Sequence, residues 1–375
     1  MYHLSTPLLY RNIDLNTVPG VSPNDCNFLE GSLTRTQKFV REMQNVGQYI
    51  QEASIRVLKP NLWSRAWDVD LALVDLFLGA CQLHTLIINY DVHDFSPPFH
   101  STLLNAIPHL NALKHITLKV AKFPKGAPLP VVPIEDRSSH IANRLLASLI
   151  NHHGQNLLSI NIHGGLRIDP TLYTKIRDKA PNLRTFGVLM ALNIELNPLL
   201  REPKAWSCAG TLQSLTIMHC TIHAEHLATQ LALGAYGSLQ HLSLFCCGDP
   251  SDDQSLRTKI KWKGPPLDTF RLHHFIAWEV DTLSAISTRL LVATGVEPQH
   301  FSTAIRDLNS FPGLERIRVS TTWGANELVD LQKAAAWRGV EVTPDWDHSE
   351  DPSAVEFGLI GPCPCTDCML QKLQL

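Results

Sequence analysis

Two stretches carry the residue types best suited to chemistry. His223-Ala-Glu225 and Pro364-Cys365-x-x-Cys368 spell the H-x-E and P-C-x-x-C halves of a zinc-dependent deaminase site, in which the glutamate moves protons beside a metal-bound water. That chemistry needs both halves at the starts of neighbouring helices, and here 138 residues lie between Glu225 and Pro364. Cys363, Cys365 and Cys368 also suit zinc as thiolates, but they form a four-ligand set only if a further group such as His348 joins them. The histidine pairs His152-His153 and His273-His274 have no nucleophile and carboxylate arranged around them. The chain contains no phosphate-binding glycine loop, no G-x-S-x-G elbow and no H-E-x-x-H helix. The expectation is a protein that is not an enzyme and holds no cofactor or metal.

What would position any such residues is a repeated unit. Leu212-x-x-Leu215-x-Ile217-x-x-Cys220-x-Ile222 matches every fixed position of the leucine-rich-repeat signature, and Leu239-x-x-Leu242-x-Leu244-x-x-Cys247 restates it 27 residues later. Leu227 and Leu231, four apart between the two copies, give the spacing of a helix that buries one stripe. Further copies start at Leu83, Leu113, Leu157, Leu183, Leu267 and Leu314. Weaker ones read Tyr10-x-x-Ile13-x-Leu15, Glu52-x-x-Ile55-x-Val57, Ser287-x-x-Leu290-x-Val292 and Trp337-x-x-Val340-x-Val342.

A helix is expected ahead of most strands: 74–81, 99–107, 140–152, 170–179, 300–309 and 327–337. Because a helix separates successive strands, the strands must run parallel. One repeat cannot bury both of its faces, so the copies must stack. The fold class expected is α/β, a leucine-rich-repeat solenoid shaped as a horseshoe, with a curved parallel sheet on the concave side and helices on the convex side. Residues 16–75 read as degenerate N-terminal repeats or a cap, and 76–344 as the solenoid. The proline-rich stretch 122–139 reads as an inserted loop and 345–375 as an irregular tail. Trp63 and Trp67 read as cap packing.

Strand alternation converts this pattern into a surface map, since residues between the fixed apolar positions point away from the core. The outward positions include Met218, His241, Phe245, Arg271, His273, Arg289, Arg316 and Arg318, together with Leu291 and Ala293, and no carboxylate falls among those read from Thr85 to Ser320. A face that is neutral to positive suits an acidic or phosphorylated segment of a protein partner, with the arginines as anion-binding forks and Met218 and Phe245 as apolar anchors. Nucleic acid is not expected, because aromatic residues are not interleaved with the basic ones.

Hydrophobic content of 44% with 18% charged residues describes a folded chain, and a net charge of −3 selects no partner. The start lacks a basic segment followed by an apolar one, and no run of eighteen apolar residues occurs, so neither secretion nor a membrane is expected. The nine cysteines then read as reduced thiols in the cytoplasm or nucleus.

The opening, Leu4 to Leu15, with Leu8-Leu9-Tyr10-Arg11, resembles the segment that follows the F-box in fungal F-box proteins, and the degenerate repeats resemble their substrate-receptor half. The resemblance implies a substrate-recognition part of an F-box-type ubiquitin ligase subunit, docked through a Skp-type adaptor onto a cullin. A complete F-box needs about forty to fifty residues, roughly three average helices with their turns. Only ten residues precede Arg11. The expectation is therefore a receptor whose F-box is largely missing, 1–15 being its remnant and the first strand. Adaptor and cullin would bind only if an F-box is supplied. The alternative is a free-standing repeat scaffold with no ubiquitin ligase role.

Overall fold

The computed structural model describes residues 11–14, 47–56, 77–90, 104–120, 136–163, 169–189, 208, 210–218, 236–245, 264–273, 280, 283–294, 296, 298–320 and 324–346. The chain divides into two compact units, Met1–Leu183 and Arg184–Leu375.

In the first unit, β1 (Asn12–Asp14), β2 (Glu52–Arg56), β3 (Thr85–Tyr90), β4 (His115–Val120) and β5 (Ser159–His163) pair in chain order, every pair parallel. Their interior rows are Ala53, Leu86, Ile116 and Ile160, then Ile88, Leu118 and Ile162, all fully buried. Helix α1 (Asp136–His153) adds Leu145, Leu146, Leu149 and Ile150 to this core, and α2 (Pro170–Lys179) adds Leu172, Tyr173 and Ile176. Asp169 starts α2 by accepting the Thr171 N–H at 2.8 Å, with Pro170 in the first turn, where its missing N–H is harmless. That hydrogen bond holds the Asp169 carboxyl below its ordinary range.

In the second unit, β6 (Thr185–Leu189), β7 (Ser214–Met218), β8 (His241–Phe245), β9 (Leu267–His273), β10 (Thr288–Thr294), β11 (Arg316–Ser320) and β12 (Glu341–Trp346) again pair in chain order and parallel. Helices α3 (Pro298–Arg306) and α4 (Ala325–Trp337) pack on each other. Arg338, just past α4, ties their ends together: its guanidinium donates to the carbonyl oxygens of Ile305, Asp307, Ser310 and Phe311 at 2.7 to 3.3 Å. Partial burial lowers its affinity for the proton, and Asp307 opposes that shift. Among the described residues, no helix is long and apolar enough to cross a membrane.

One device recurs at most strand entrances, Leu212, Leu267 and Thr288 being entered differently. The N–H of the leading apolar residue donates back three residues, as in Leu83 to Ala80, Leu113 to Leu110, Leu157 to Gly154 and Leu239 to Tyr236. The next two N–H groups then share one carbonyl of the preceding repeat: Lys114 and His115 share that of His84, and Gln240 and His241 that of Gln213. The leading leucines 83, 113, 157, 183, 212, 239, 267 and 314 are all at most 9% exposed, as the repeat spacing requires. The turn also needs small residues where repeats touch. A Cβ on Gly154 would lie 2.4 Å from the Lys179 carbonyl oxygen, and one on Gly47 3.0 Å from the Gly79 backbone.

The weak copies differ from their sequence reading in register. β1 agrees, with Ile13 opposite Ala53. In β2 the buried positions are Ile50 and Ala53, three apart, so the frame opens two residues earlier than the one read from Glu52. In β10 it is Thr288-x-x-Leu291-x-Ala293, one residue later than Ser287-x-x-Leu290-x-Val292. The last copy shifts by two, with Val342 opposite Ile317, and Trp337 is 76% exposed rather than a leading residue. Each shift has the same cause: a small or polar residue holds the leading or interior position, and a nearby apolar residue matches the motif better.

Two boundaries move as well. α1 begins at Asp136, so the end of the expected loop 122–139 is helical, and β12 runs to Trp346, past the expected end of the repeats at 344. β12 carries Pro344, which cannot donate to a ladder, and its pairing slips between Arg318 and Ser320. Residues 121–135, the helix expected between Leu227 and Leu231, Trp63, Trp67 and the tail beyond Trp346 lie outside the described residues.

Candidate binding face

Residues between the interior rows of each unit form outward rows that the pairing register defines strand by strand. In the second unit the first row runs Thr185, Ser214, His241, Thr269, Leu290, Arg316, Glu341. The second runs Gly187, Thr216, Ser243, Arg271, Val292, Arg318, Thr343. A third begins Leu189, Met218, Phe245, His273, Thr294. Thr216, Ser243 and Thr269 are small and buried, while Arg271 and Arg318 are half-buried and Arg316 is exposed. Small residues on β7 and β8 beside long arginines on β9 and β11 place the cations toward one end of this face.

Most of the sequence-derived positions fall on these rows: His241 and Arg316 on the first, Arg271 and Arg318 on the second, Met218, Phe245 and His273 on the third. The side chains of the last three lie outside the described residues. Arg289 does not join them. It stands one residue before Leu290, so alternation turns it off the row, and its Nη1 lies 3.6 Å from the Asp268 carboxylate at the strand entrance. Leu291 and Ala293, expected outside, are fully buried, and Leu290 and Val292 take their places in the rows, Leu290 partly exposed and Val292 only 3% exposed.

The expectation of a face without carboxylates is also corrected at its ends. β12 brings Glu341 beside Arg316, and in the first unit β2 brings Glu52 beside Thr85. Leu290, Val292, Thr294, Glu341 and Thr343 in the second unit, and Glu52 and Ser54 in the first, are outward positions that the sequence reading missed. The available signal was the short step of 21 residues from Leu267 to Thr288, which needed a polar leading residue to be accepted.

His241 is half-exposed among these groups. Burial pushes its pKa down, Asp268 opposes that shift and Arg271 adds to it, so the imidazole is held toward its neutral form. The first unit presents a different set: Glu52, Thr85, His115, Ser159 in one row and Ser54, Ile87, Thr117, Asn161 in the next. Asn161 donates to Ser159 Oγ at 3.2 Å. His115 is also held toward neutrality, by burial first and then by Lys114 and His84.

The other residues singled out for chemistry divide between the core and the parts outside the description. His153 is 3% exposed, and its Nε2 makes a 2.6 Å hydrogen bond to the Ile107 carbonyl oxygen, tying the end of α1 to the turn before β4. Cys208 is buried, with its thiol pushed up to about 12 by desolvation, and Cys81 is exposed. His223, Glu225, Cys363, Cys365 and Cys368 lie outside the described residues, and among those described no three His, Cys, Asp or Glu side chains are grouped to hold a metal ion.

No protein-family model matches the chain, and no curated protein matches it. Among solved structures it is similar to the yeast Rad7 and Elc1 complex, at 12% identity over 91% of this chain and 92% of that one, with a TM-score of 0.35. At that score the functional reading rests on the residues of the chain itself.

Proposed function

We propose that this chain is a non-catalytic protein-binding receptor, the substrate-recognition part of an F-box-type ubiquitin ligase subunit acting in the cytoplasm or nucleus. It would take an acidic or phosphorylated segment of its protein substrate on the outward face of β8 to β11. One observation carries the reading. The second outward row sets Arg271 and Arg318 two strands apart with no carboxylate in that row, in a chain whose net charge is −3. Guanidinium groups fixed on a sheet are matched to carboxylate and phosphate oxygens, and their placement steers an anionic partner. The ligase assignment rests on the resemblance of Leu4 to Leu15 to the segment after an F-box.

The test is isolation of the full-length protein from its native source, scored by mass spectrometry for a Skp-type adaptor and a cullin. Stoichiometric recovery of both is expected. Recovery of neither, with a reproducible set of other proteins, assigns the chain to free-standing scaffolds instead. In either setting, Arg271→Gln with Arg318→Gln should release the bound substrate by about tenfold or more, since charged hydrogen bonds are among the strong ones. Unchanged retention overturns the acidic-partner reading.

A further inference from the structure

The entrance to β11 is bent unlike the other described ones. Its turn reads Ser310-Phe311-Pro312-Gly313, with Phe311 at φ +45° and Gly313 at φ +77°. Among the described residues only Gly339, ahead of β12, also has a positive φ, and only Phe311 carries a side chain there. A residue with a Cβ is strained in that region and stays in it only where its surroundings hold it. Phe311 is fully buried, its ring centroid 6.4 Å from that of Phe270.

Two sets of hydrogen bonds hold the turn. From the preceding repeat, the Phe311 N–H donates to the Ser284 carbonyl oxygen, and the Ser287 hydroxyl and the Thr288 N–H donate to that of Pro312 at 2.7 and 3.1 Å. From beyond β11, the Arg338 guanidinium reaches back with Nη2 to the carbonyl oxygens of Ser310 at 2.7 Å and Phe311 at 3.3 Å, while Nη1 takes those of Ile305 and Asp307. The Phe311 carbonyl oxygen also accepts the Leu314 N–H that opens the strand, at 3.3 Å. Arg338 thus sits on the acceptor that sets where β11 begins. That starting point decides the side each residue takes. Ile317 and Val319 are fully buried, Arg316 is exposed and Arg318 half-buried, and a slip of one residue would exchange the two sets. β12 gives the strand little support in this, since its pairing shifts between Arg318 and Ser320 and Pro344 has no N–H to donate.

We infer that Arg338 is a positioning residue for the outward face. By holding the strained turn at Phe311 it fixes the residue at which β11 starts, and with it the side on which Arg316 and Arg318 stand. The consequence for binding rests on the acidic-partner reading above; the hold on the strand does not.

The test uses the full chain with Arg318→Cys or Val319→Cys, each alone and with Arg338→Ala, and follows thiol labelling by peptide mapping, with the buried native Cys208 as reference. With Arg338 in place, Arg318→Cys should label much faster than Val319→Cys. In Arg338→Ala the ratio of the two rates should fall about tenfold or more, as the loss of charged hydrogen bonds predicts, while Cys208 labelling stays as it was. Arg338→Lys should act like Arg338→Ala, because an ammonium is a point donor and cannot span the carbonyl oxygens that the planar fork reaches. Added guanidinium chloride, set against sodium chloride at equal ionic strength, should restore the ratio in Arg338→Ala. An unchanged ratio overturns the inference. So does a rise in Cys208 labelling in step with Val319→Cys, which would mean general loosening. Binding is read separately, with Arg316 and Arg318 native, by fluorescence anisotropy of a labelled Glu-rich peptide and its Lys counterpart. The Glu peptide should lose about tenfold in affinity in Arg338→Ala. A fallen labelling ratio without that loss removes the acidic-partner reading alone. No preference for the Glu peptide with Arg338 in place removes that reading too, and the labelling ratio then decides the role of Arg338 by itself.

Discussion

The two units share one construction and present different faces. Both enter most of their strands through the same turn, share one carbonyl between two N–H groups at most steps, and fill the interior chiefly with leucine, isoleucine and phenylalanine. Outside, the first unit offers Thr85, His115, Ser159, Ser54, Ile87, Thr117 and Asn161, hydrogen-bonding residues around one apolar side chain. The second offers Arg271, Arg316 and Arg318 beside the partly exposed Leu290, with Val292 buried in the row between Arg271 and Arg318. The interior is under the same constraint in every repeat, because each must match the one before it. The outward rows are under no such constraint, so a departure there points to something outside the chain. Ile87 of β3 is the instructive control: like Leu290 it is an apolar residue on an outward row, but its row neighbours are Ser54 and Thr117 instead of arginines.

The largest effects test whether the rows are assigned to the correct sides. Leu291→Ala and Ile88→Ala remove fully buried side chains and should each cost about 2 to 5 kcal/mol in chemical unfolding. Their outward neighbours Leu290→Ala and Ile87→Ala should cost no more than about 1 kcal/mol. The reverse order in either unit would place its register one residue out and undo the comparison.

A second pair sharpens the shared interior. Gly154→Ala brings a methyl group against the Lys179 backbone, which cannot move as a side chain would, and should destabilise the first unit by about 1 to 3 kcal/mol. Gly210 has nothing within 4 Å of its Cβ position, and Gly210→Ala should stay within about 0.5 kcal/mol. Equal unfolding midpoints for the two variants would show that the close approach at Gly154 is not real.

The smallest effect is one of pH. His153 and His115 have pKa values held below the ordinary 6.5, burial being the first cause for both. The folded chain then binds fewer protons than the unfolded one, so the penalty is absent above 6.5 and grows as the pH falls from there toward the folded value. Unfolding followed at pH 7.5 and 5.5 should show this loss. His153→Gln, which keeps a donor but cannot titrate, should make it shallower. A variant with the same pH dependence as the parent would mean that His153 contributes none of it.

How much of this was legible in advance follows from which residues carried the signal. The leucines that lead β3 to β9 and β11 recur near one period, and each is large and apolar because each must fill the same space between repeats. That dictated the strands, their parallel order and the buried rows, and with them the outward placement of Arg271, Arg316 and Arg318. The helix Pro170–Lys179 was readable to the residue, because Asp169 and Pro170 mark its start. The face over β10 was not readable. A strand alternates with a period of two, so inside and outside exchange on a slip of one residue, and Ser287-x-x-Leu290-x-Val292 fits the apolar pattern better than the true Thr288-x-x-Leu291-x-Ala293. Only pairing with β9 and β11 decides between them, because opposite residues on neighbouring strands must share a side and because the Thr288 hydroxyl finds backbone oxygens there that no motif records. The repeat and its interior were thus determined by the sequence, through volume and period. Which residues of β10 share a row with the arginines was decided by tertiary pairing, since it depends on which of two alternating sets of side chains the neighbouring strands allow on that side.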